Sequence, residues 1–216
     1  MQGTYTPAYN IVGPGIVDEN GMFYDNANGG KTYISEDYEA NLEAAKQALG
    51  RCRLPQRRRL PRHRVHAPTM PVTTPPLLQY LQQAWGELGI TVNINKVEWA
   101  SFTPMRRAGD YDASRNGWVM DYNDPSNMLE LFTTGNGNND GKYSSADFDA
   151  AIEASKVADK SVHFQKLHEA EDILMNDYAC IPVAYYNDFW LQSPSLKGTW
   201  HSPYGYWYLQ YGYVEE

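Results

Sequence analysis

The stretch LLQYLQQAWGELGITVNINK, residues 77–96, decides the fold class of this chain. Its first part repeats large apolar side chains at helical spacing, on a face made of Leu77, Leu81, Trp85 and Leu88. Gly89 stands where a glycine commonly ends a helix. From Ile90 onward, apolar and polar residues alternate as they do in a half-buried strand. A helix, a glycine and a strand in direct succession predict an α/β layer.

Helical spacing predicts further helices on both sides of this stretch, over residues 38–49, 102–108, 146–157 and 160–176. The first of them is predicted to have Ser35 as its N-cap and Gly50 as its terminating glycine. Residues 180–186 and 188–192 have the composition of strands. The Gly/Asn-rich segment 133–142 is predicted to be a loop that is too polar to belong to the core.

The composition of the chain excludes several classes of protein. Its 216 residues include 26 acidic and 18 basic residues, and this negative net charge argues against nucleic acid as the main partner. No apolar run reaches the roughly 20 residues that span a bilayer, and the first residues do not resemble a signal peptide. Two cysteines are too few for a disulfide framework. The 17 Tyr and 6 Trp suit a surface or cleft that binds polar ligands with amphipathic rings.

One segment differs in charge from the rest of the chain. Seven of the ten arginines lie between Arg51 and Arg64, and no acidic residue occurs between Glu43 and Glu87. A basic patch for an anionic partner and a solvated loop are two interpretations. We favour a third, in which residues of about 51–75 are translated out of frame, because Arg, Pro and His enrichment without acidic residues is typical of a GC-rich gene in a shifted frame. Cys52 then has no role.

The sequence offers little for catalysis or metal binding. It contains no phosphate-binding glycine loop, no nucleophile elbow and no His-Glu-x-x-His motif, so we expect no enzyme, no catalytic residue, no metal site and no cofactor. His163 and His168 are five residues apart on a predicted helix, a spacing that favours packed or solvated histidines over a metal pair. Asp147 and Asp149 suit a helix N-terminus better than acid–base chemistry. Cys180 is predicted to be a buried, inert thiol.

The candidate site is the segment Gly117–Pro125, GWVMDYNDP. An acid that follows a strand, in a loop with two aromatic residues, presents a carboxylate beside ring faces. Asp121 between Trp118 and Tyr122 could hold an ammonium group through charge-assisted hydrogen bonds and a cation–π contribution. The alternative is structural: Asp121 caps one turn and Asp124 begins another before Pro125.

Several motifs in the same order make this chain similar to a known family, the oligopeptide- and dipeptide-binding proteins of peptide-importing ABC transporters, extracellular solute-binding protein family 5. They cover nearly all of the chain outside about 51–75 and comprise Leu81–Val92, Val97–Trp99, Gly109–Asp112, Gly117–Trp118, Asp121–Pro125, Tyr143, Asp147–Asp149, Ala170–Leu174, Ile181–Val183 and Leu196–Gly198. In that family a Gly-Tyr-Pro stretch usually follows the first helix. The arginine run in its place supports a shifted frame.

The resemblance implies an α/β fold with a mixed sheet flanked by helices, namely one lobe of the two-lobed, type II periplasmic-binding-protein-like fold. Residues 1–190 would be the C-terminal peptide-binding lobe, including the anomalous 51–75, and residues 191–216 a tail that returns to the other lobe. By the resemblance, Asp121 pairs with the α-amino group of a peptide and Trp118 belongs to the adjacent pocket. Tyr122 and Asn123 would be neighbouring ligand contacts.

The resemblance also implies partners and a location. These are a peptide ligand, the permease subunits of an importer and the N-terminal lobe that this chain lacks, in a periplasmic or lipoprotein form outside the cytoplasm. Two other functions remain open, namely the binding of another solute such as a nickel complex or a sugar, and a carbohydrate-binding module suggested by the Tyr and Trp content. We further expect self-association through exposed aromatic surface, and weak or no peptide affinity for this chain alone.

Overall fold

The structure, a computed structural model, describes residues 5–51, 63–68, 74–187, 189–202 and 205–215, with residues 63–68 and 74–76 described by their main chain. Its strands are short except for two in the first half of the chain. In chain order they are β1 Tyr5–Pro7, β2 Val17–Asp18, β3 Gly21–Met22, β4 His63–Pro68, β5 Val92–Val97, β6 Ala113–Ser114, β7 Ala184–Tyr186, β8 Leu196–Lys197, β9 Trp200–His201, β10 Trp207–Tyr208 and β11 Tyr213–Val214. The helices are α1 Phe23–Asn26, α2 Tyr38–Arg51, α3 Thr74–Gly86, α4 Trp99–Ala108, α5 Ser126–Leu129, α6 Ala146–Ser155 and α7 Lys160–Asn176.

The chain divides into two compact units. The first comprises Ile34–Gly117 with Gly137–Tyr143, and the second comprises the chain up to Tyr33, Trp118–Asn136 and the residues from Ser144 onward. This division concerns contacts within the chain. The assignment of 1–190 to one lobe and 191–216 to a returning tail stays a prediction.

The first unit contains a three-stranded parallel sheet in the order β5-β4-β6. The predicted helix–glycine–strand succession is confirmed: α3 is followed by a turn in which Gly89 has a left-handed φ of 76°, and then by β5. Leu78 of α3 and Val92 of β5 form the buried core, against which Trp85, Ile90, Ile94 and Ala113 pack. The side chain of α3 that lies in this buried core is therefore that of Leu78, the residue after the predicted Leu77.

Helix α2 begins at Tyr38, where its predicted range begins, but both of its caps differ from the predicted ones. The side chain of Asp37, and not that of Ser35, accepts the hydrogen bond from the first-turn amide of Ala40, at 3.0 Å. Ser35 Oγ instead accepts from the amide of Asp37 in the turn before the helix. Gly50 lies inside the helix, which continues to Arg51. The N-cap prediction was wrong because Asp37 is a second good capping residue that lies closer to the first turn than Ser35. The C-terminal prediction was wrong because a glycine, although it destabilises a helix, can also lie inside one.

The loop predicted to be too polar for the core is partly buried. Asn139 and Asp140 are only 5% and 6% exposed. Asp140 forms an ion pair of 2.8 Å with Arg106 of α4, and its main-chain oxygen accepts a hydrogen bond from the Tyr111 hydroxyl at 2.7 Å. The prediction failed because composition does not reveal that a polar loop has partners on another element.

The second unit is built on the hairpin of α6 and α7. Phe148 and Ile152 of α6 and Leu167 and Leu174 of α7 are buried, as the helical spacing predicted. The N-terminal segment is part of this unit, where β1 pairs antiparallel with β7 and the Phe23 ring stacks on His168 at 3.9 Å.

The last part of the chain contains less strand than predicted. Only Ala184–Tyr186 of the predicted strand 180–186 is extended and paired. Residues 189–192 are not in a strand, and Asp188 lies outside the described residues. Beyond them, β8 pairs with β11 and β9 with β10, each over two residues. The apolar composition of residues 180–192 therefore predicted more strand than the structure shows.

Most of the arginine-rich segment, with Cys52, lies outside the described residues, and the out-of-frame interpretation stays a prediction. Its last part supplies β4, the central strand of the parallel sheet, which pairs with β5 from His63 opposite Val92 to Pro68 opposite Val97. Within the described ranges, no helix combines the length and the apolar character that crossing a bilayer requires.

Candidate functional site

The segment with the predicted site residues is a tight loop that leads into α5. Asp124 Oδ1 accepts a hydrogen bond from the amide of Ser126 at 2.9 Å, so Asp124 forms the turn that was expected before Pro125. Pro125, with a φ of −57°, is the N-cap residue of α5, and its main-chain oxygen accepts hydrogen bonds from the amides of Met128 and Leu129. Local turn chemistry therefore fixes where the loop ends.

Asp121 presents its carboxylate to solvent. The residue is exposed, and its side chain has no hydrogen-bond or ion-pair partner within the part of the chain that the structure describes. Its main-chain amide, in contrast, donates to Oδ1 of Asn127 at 3.2 Å. The backbone of Asp121 is thus held, whereas its carboxylate is not used to cap a turn among these residues.

The two aromatic residues of the loop differ in how firmly they are held. The half-buried indole of Trp118 donates its Nε1–H to Oδ1 of Asn127 at 3.0 Å. Tyr122 is 48% exposed. One ring therefore has a fixed orientation beside the main chain of Asp121, and the other presents half of its surface to solvent.

The amide group of Asn123 contacts the N-terminal segment. Its Oδ1 accepts from the amide of Val17 at 3.2 Å, and its Nδ2 donates to the main-chain oxygen of Gly15 at 3.5 Å. These bonds tie the loop to residues 15–17. Asn123 thus has a structural role in addition to the predicted ligand contact.

The histidines of α7, predicted to be packed or solvated, form hydrogen bonds with other residues. His163 lies with Nε2 3.0 Å from Oδ2 of Asp124 and Nδ1 2.6 Å from the main-chain oxygen of Ser155. His168 lies with Nε2 3.1 Å from Oδ2 of Asp18. The described residues contain no group of three or more His, Cys, Asp or Glu side chains that could hold a metal ion.

The remaining chemical candidates also have structural environments. Ser145 caps α6 by accepting from the amide of Phe148, and Asp147 and Asp149 lie in its first turn, as predicted. Asp149 also accepts a hydrogen bond from the amide of Thr134 at 2.9 Å. Burial raises the pKa of the Cys180 thiol to about 12, so this cysteine is a protonated thiol at neutral pH.

Asn127 is a residue of the candidate site that was not predicted from the sequence. It is 8% exposed and accepts hydrogen bonds from both Trp118 and Asp121. A usable signal was present, because an asparagine beside the apolar Met128 and Leu129 in a short helix needs polar partners when it is buried. Spacing alone does not identify those partners.

Comparison with protein families supports the resemblance. The family model described as bacterial extracellular solute-binding proteins, family 5 Middle, matches residues 1–140 of this chain.

Two relatives of the chain are named for peptide binding. The dipeptide-binding protein DppE of Bacillus subtilis is 30% identical over 206 residues, which are 93% of this chain and 36% of that protein. The oligopeptide-binding protein OppA of the same species is 34% identical over 126 residues, 57% of this chain and 23% of that protein. The chain therefore spans about a third or less of the length of these relatives.

A solved structure shows the same fold. The crystal structure of Haemophilus influenzae OppA in complex with RPPGFSPFR superposes with a TM-score of 0.78 at 25% sequence identity, and covers 100% of this chain and 41% of that one. The predicted α/β lobe of the type II periplasmic-binding-protein fold is confirmed by this likeness.

Proposed function

Because this chain belongs to the bacterial extracellular solute-binding proteins of family 5, we propose that it binds peptides as part of the solute-binding component of a peptide ABC importer. The proposal is supported by relatives and a solved structure named for peptide binding. The same likeness supports a location outside the cytoplasm. A chain with this role transfers its ligand to permease subunits and does not transform it.

The observation that carries the proposal is the exposed carboxylate of Asp121, which has no partner among the described residues. An ammonium group can donate up to three hydrogen bonds, and a carboxylate accepts them strongly because both partners are charged. The held indole of Trp118 and the half-exposed ring of Tyr122 supply faces that attract a cation. The proposed ligand group is therefore the free α-amino group of a peptide.

The ion pair contributes to orientation more than to net affinity. When a site closes, both charged groups lose their hydration, and this cost opposes the Coulombic gain. We propose that a second lobe outside residues 1–216 supplies this closure and that residues 191–216 contact it. The chain by itself then binds peptides weakly. Calorimetry that shows micromolar affinity for this chain would contradict this expectation.

Nuclear magnetic resonance titration tests the role of Asp121, because it detects millimolar binding. We expect trialanine to shift the amide signals of residues 118–123 more strongly than N-acetyl-trialanine, which lacks the cationic amino group. Asp121→Asn should abolish this preference. The matched control is Asp25→Asn, which neutralises another exposed carboxylate and should retain the preference. Equal responses to the two peptides in the unmodified chain would overturn the proposed function.

A further inference from the structure

A single side-chain oxygen accepts hydrogen bonds from both Trp118 and Asp121 of the proposed site. Oδ1 of Asn127 lies 3.0 Å from the indole Nε1 of Trp118 and 3.2 Å from the main-chain nitrogen of Asp121. Both partners can only donate, and an amide oxygen has two lone pairs to accept them. The orientation of the Asn127 amide is therefore fixed by chemistry, since its NH₂ group could accept neither bond.

The same residue also closes the loop at its other end. The main-chain amide of Asn127 donates to the main-chain oxygen of Asp124 at 3.1 Å. The segment from Asp121 to Asp124 is thus tied at both ends to the first turn of α5. Because Asn127 is 8% exposed, water competes little for these bonds, and a lost acceptor would leave donors without partners.

In this arrangement the groups that Asn127 binds are not the group that is exposed to solvent. The main chain of Asp121 and the indole of Trp118 share one acceptor, while the carboxylate of Asp121 stays exposed. We propose that Asn127 is the positioning residue that fixes the indole and the carboxylate relative to each other, so that a peptide amino group meets both. This inference rests on the proposed function and adds a residue that does not itself contact the ligand.

The experiment compares two variants of Asn127 with the unmodified chain. Asn127→Leu is of similar size and removes the acceptor, whereas Asn127→Asp keeps an oxygen in the same place. Hydrogen exchange followed by nuclear magnetic resonance reports on the Asp121 amide and on the Trp118 indole N–H, with the indole signal assigned from Trp118→Phe. A titration with trialanine and N-acetyl-trialanine then measures the preference for a free amino end.

We expect Asn127→Leu to increase the exchange rate of both N–H groups together by at least about tenfold, the effect of losing one bond worth about 1.4 kcal/mol. It should also abolish the preference for trialanine, and Asn127→Asp should retain both properties. Unchanged exchange in Asn127→Leu, or faster exchange with the preference intact, would overturn the inference while the proposed function stands. If the unmodified chain shows no preference, the proposed function fails, and exchange alone decides whether Asn127 couples the two groups.

Discussion

Glu171 is a fully buried carboxyl group on α7 that holds the N-terminal segment. Its Oε1 accepts hydrogen bonds from the amides of Ile11 and Val12 at 3.1 and 2.8 Å. Its Oε2 is buried and has no hydrogen-bond partner among the described residues. Burial raises the pKa of Glu171 to about 7, and the nearby Asp172 acts in the same direction. The environment of the Glu171 carboxyl group therefore favours its protonated form.

The free energy of unfolding should fall as the pH rises from 5 to 8. The unfolded chain ionises Glu171 near its ordinary pKa of 4.5, whereas the folded chain keeps the proton until about pH 7. The contribution of this proton is complete below pH 4.5 and is lost through pH 7, a change of about 3 kcal/mol because each pKa unit corresponds to about 1.4 kcal/mol. Urea unfolding at several pH values measures it.

Glu171→Gln should make the free energy of unfolding nearly independent of pH in this range, because glutamine does not titrate. The matched control is Glu169→Gln on the same helix, where the side chain is 42% exposed and pairs with Lys166 at 2.6 Å. This control should keep the pH dependence of the unmodified chain. The same slope in both variants would show that Glu171 is not its source.

At the scale of elements, α4 is joined to the loop 137–143 by a largely buried ion pair. The side chains of Arg106 and Asp140 are 14% and 6% exposed, and their charged atoms lie 2.8 Å apart. Asn116 contacts both of them, at 2.9 Å from Arg106 and 3.4 Å from Asp140. Such a pair contributes little net stability when complete, but removing one partner leaves a buried charge without compensation.

Asp140→Asn should therefore lower the free energy of unfolding by about 3 kcal/mol, as measured by urea denaturation. The matched comparison is Glu153→Gln, which removes one partner of the Lys156–Glu153 pair at the same 2.8 Å separation. That pair is exposed to solvent, so its loss should lower the free energy of unfolding far less than Asp140→Asn does. Similar losses in the two variants would contradict the role of burial.

The elements also show which features the sequence was able to predict. Periodic helices such as α6 and α7 were predicted nearly to their ends, because their buried faces repeat every three or four residues. The caps of α2 and the burial of Asp140 depend on competing or distant partners and were missed. At the proposed site, the sequence predicted the loop with Asp121 and Trp118, which stays a prediction, but it could not identify Asn127 as their shared acceptor. That sharing depends on the path of the loop, which periodicity does not encode.

At the scale of the whole molecule, the last part of the chain leaves an aromatic surface exposed. This aromatic surface consists of Trp190, Leu191, Trp200, Tyr206, Trp207, Tyr208, Tyr211 and Tyr213, each at least 39% exposed. Among the described residues of this part, β8 pairs with β11 and β9 with β10, each pair forming a two-stranded sheet. Contacts between rings, such as those of Trp190 with Trp207 at 5.7 Å and Trp200 with Tyr208 at 4.8 Å, hold part of it together. Two-residue pairs with few buried neighbours provide little stability of their own.

We expect this chain to self-associate through the aromatic surface, because large exposed apolar patches are stabilised when another surface covers them. Sedimentation velocity should show a sedimentation coefficient that rises with concentration. Leu191→Ser combined with Trp200→Ser should reduce the association, since Leu191 is fully exposed and Trp200 is 58% exposed. Tyr80→Ser, which removes an aromatic residue 58% exposed on α3, should not. A chain that stays monomeric at every concentration would contradict the prediction. If Tyr80→Ser reduced self-association as much as the double variant does, the contact between copies would not be specific to the aromatic surface.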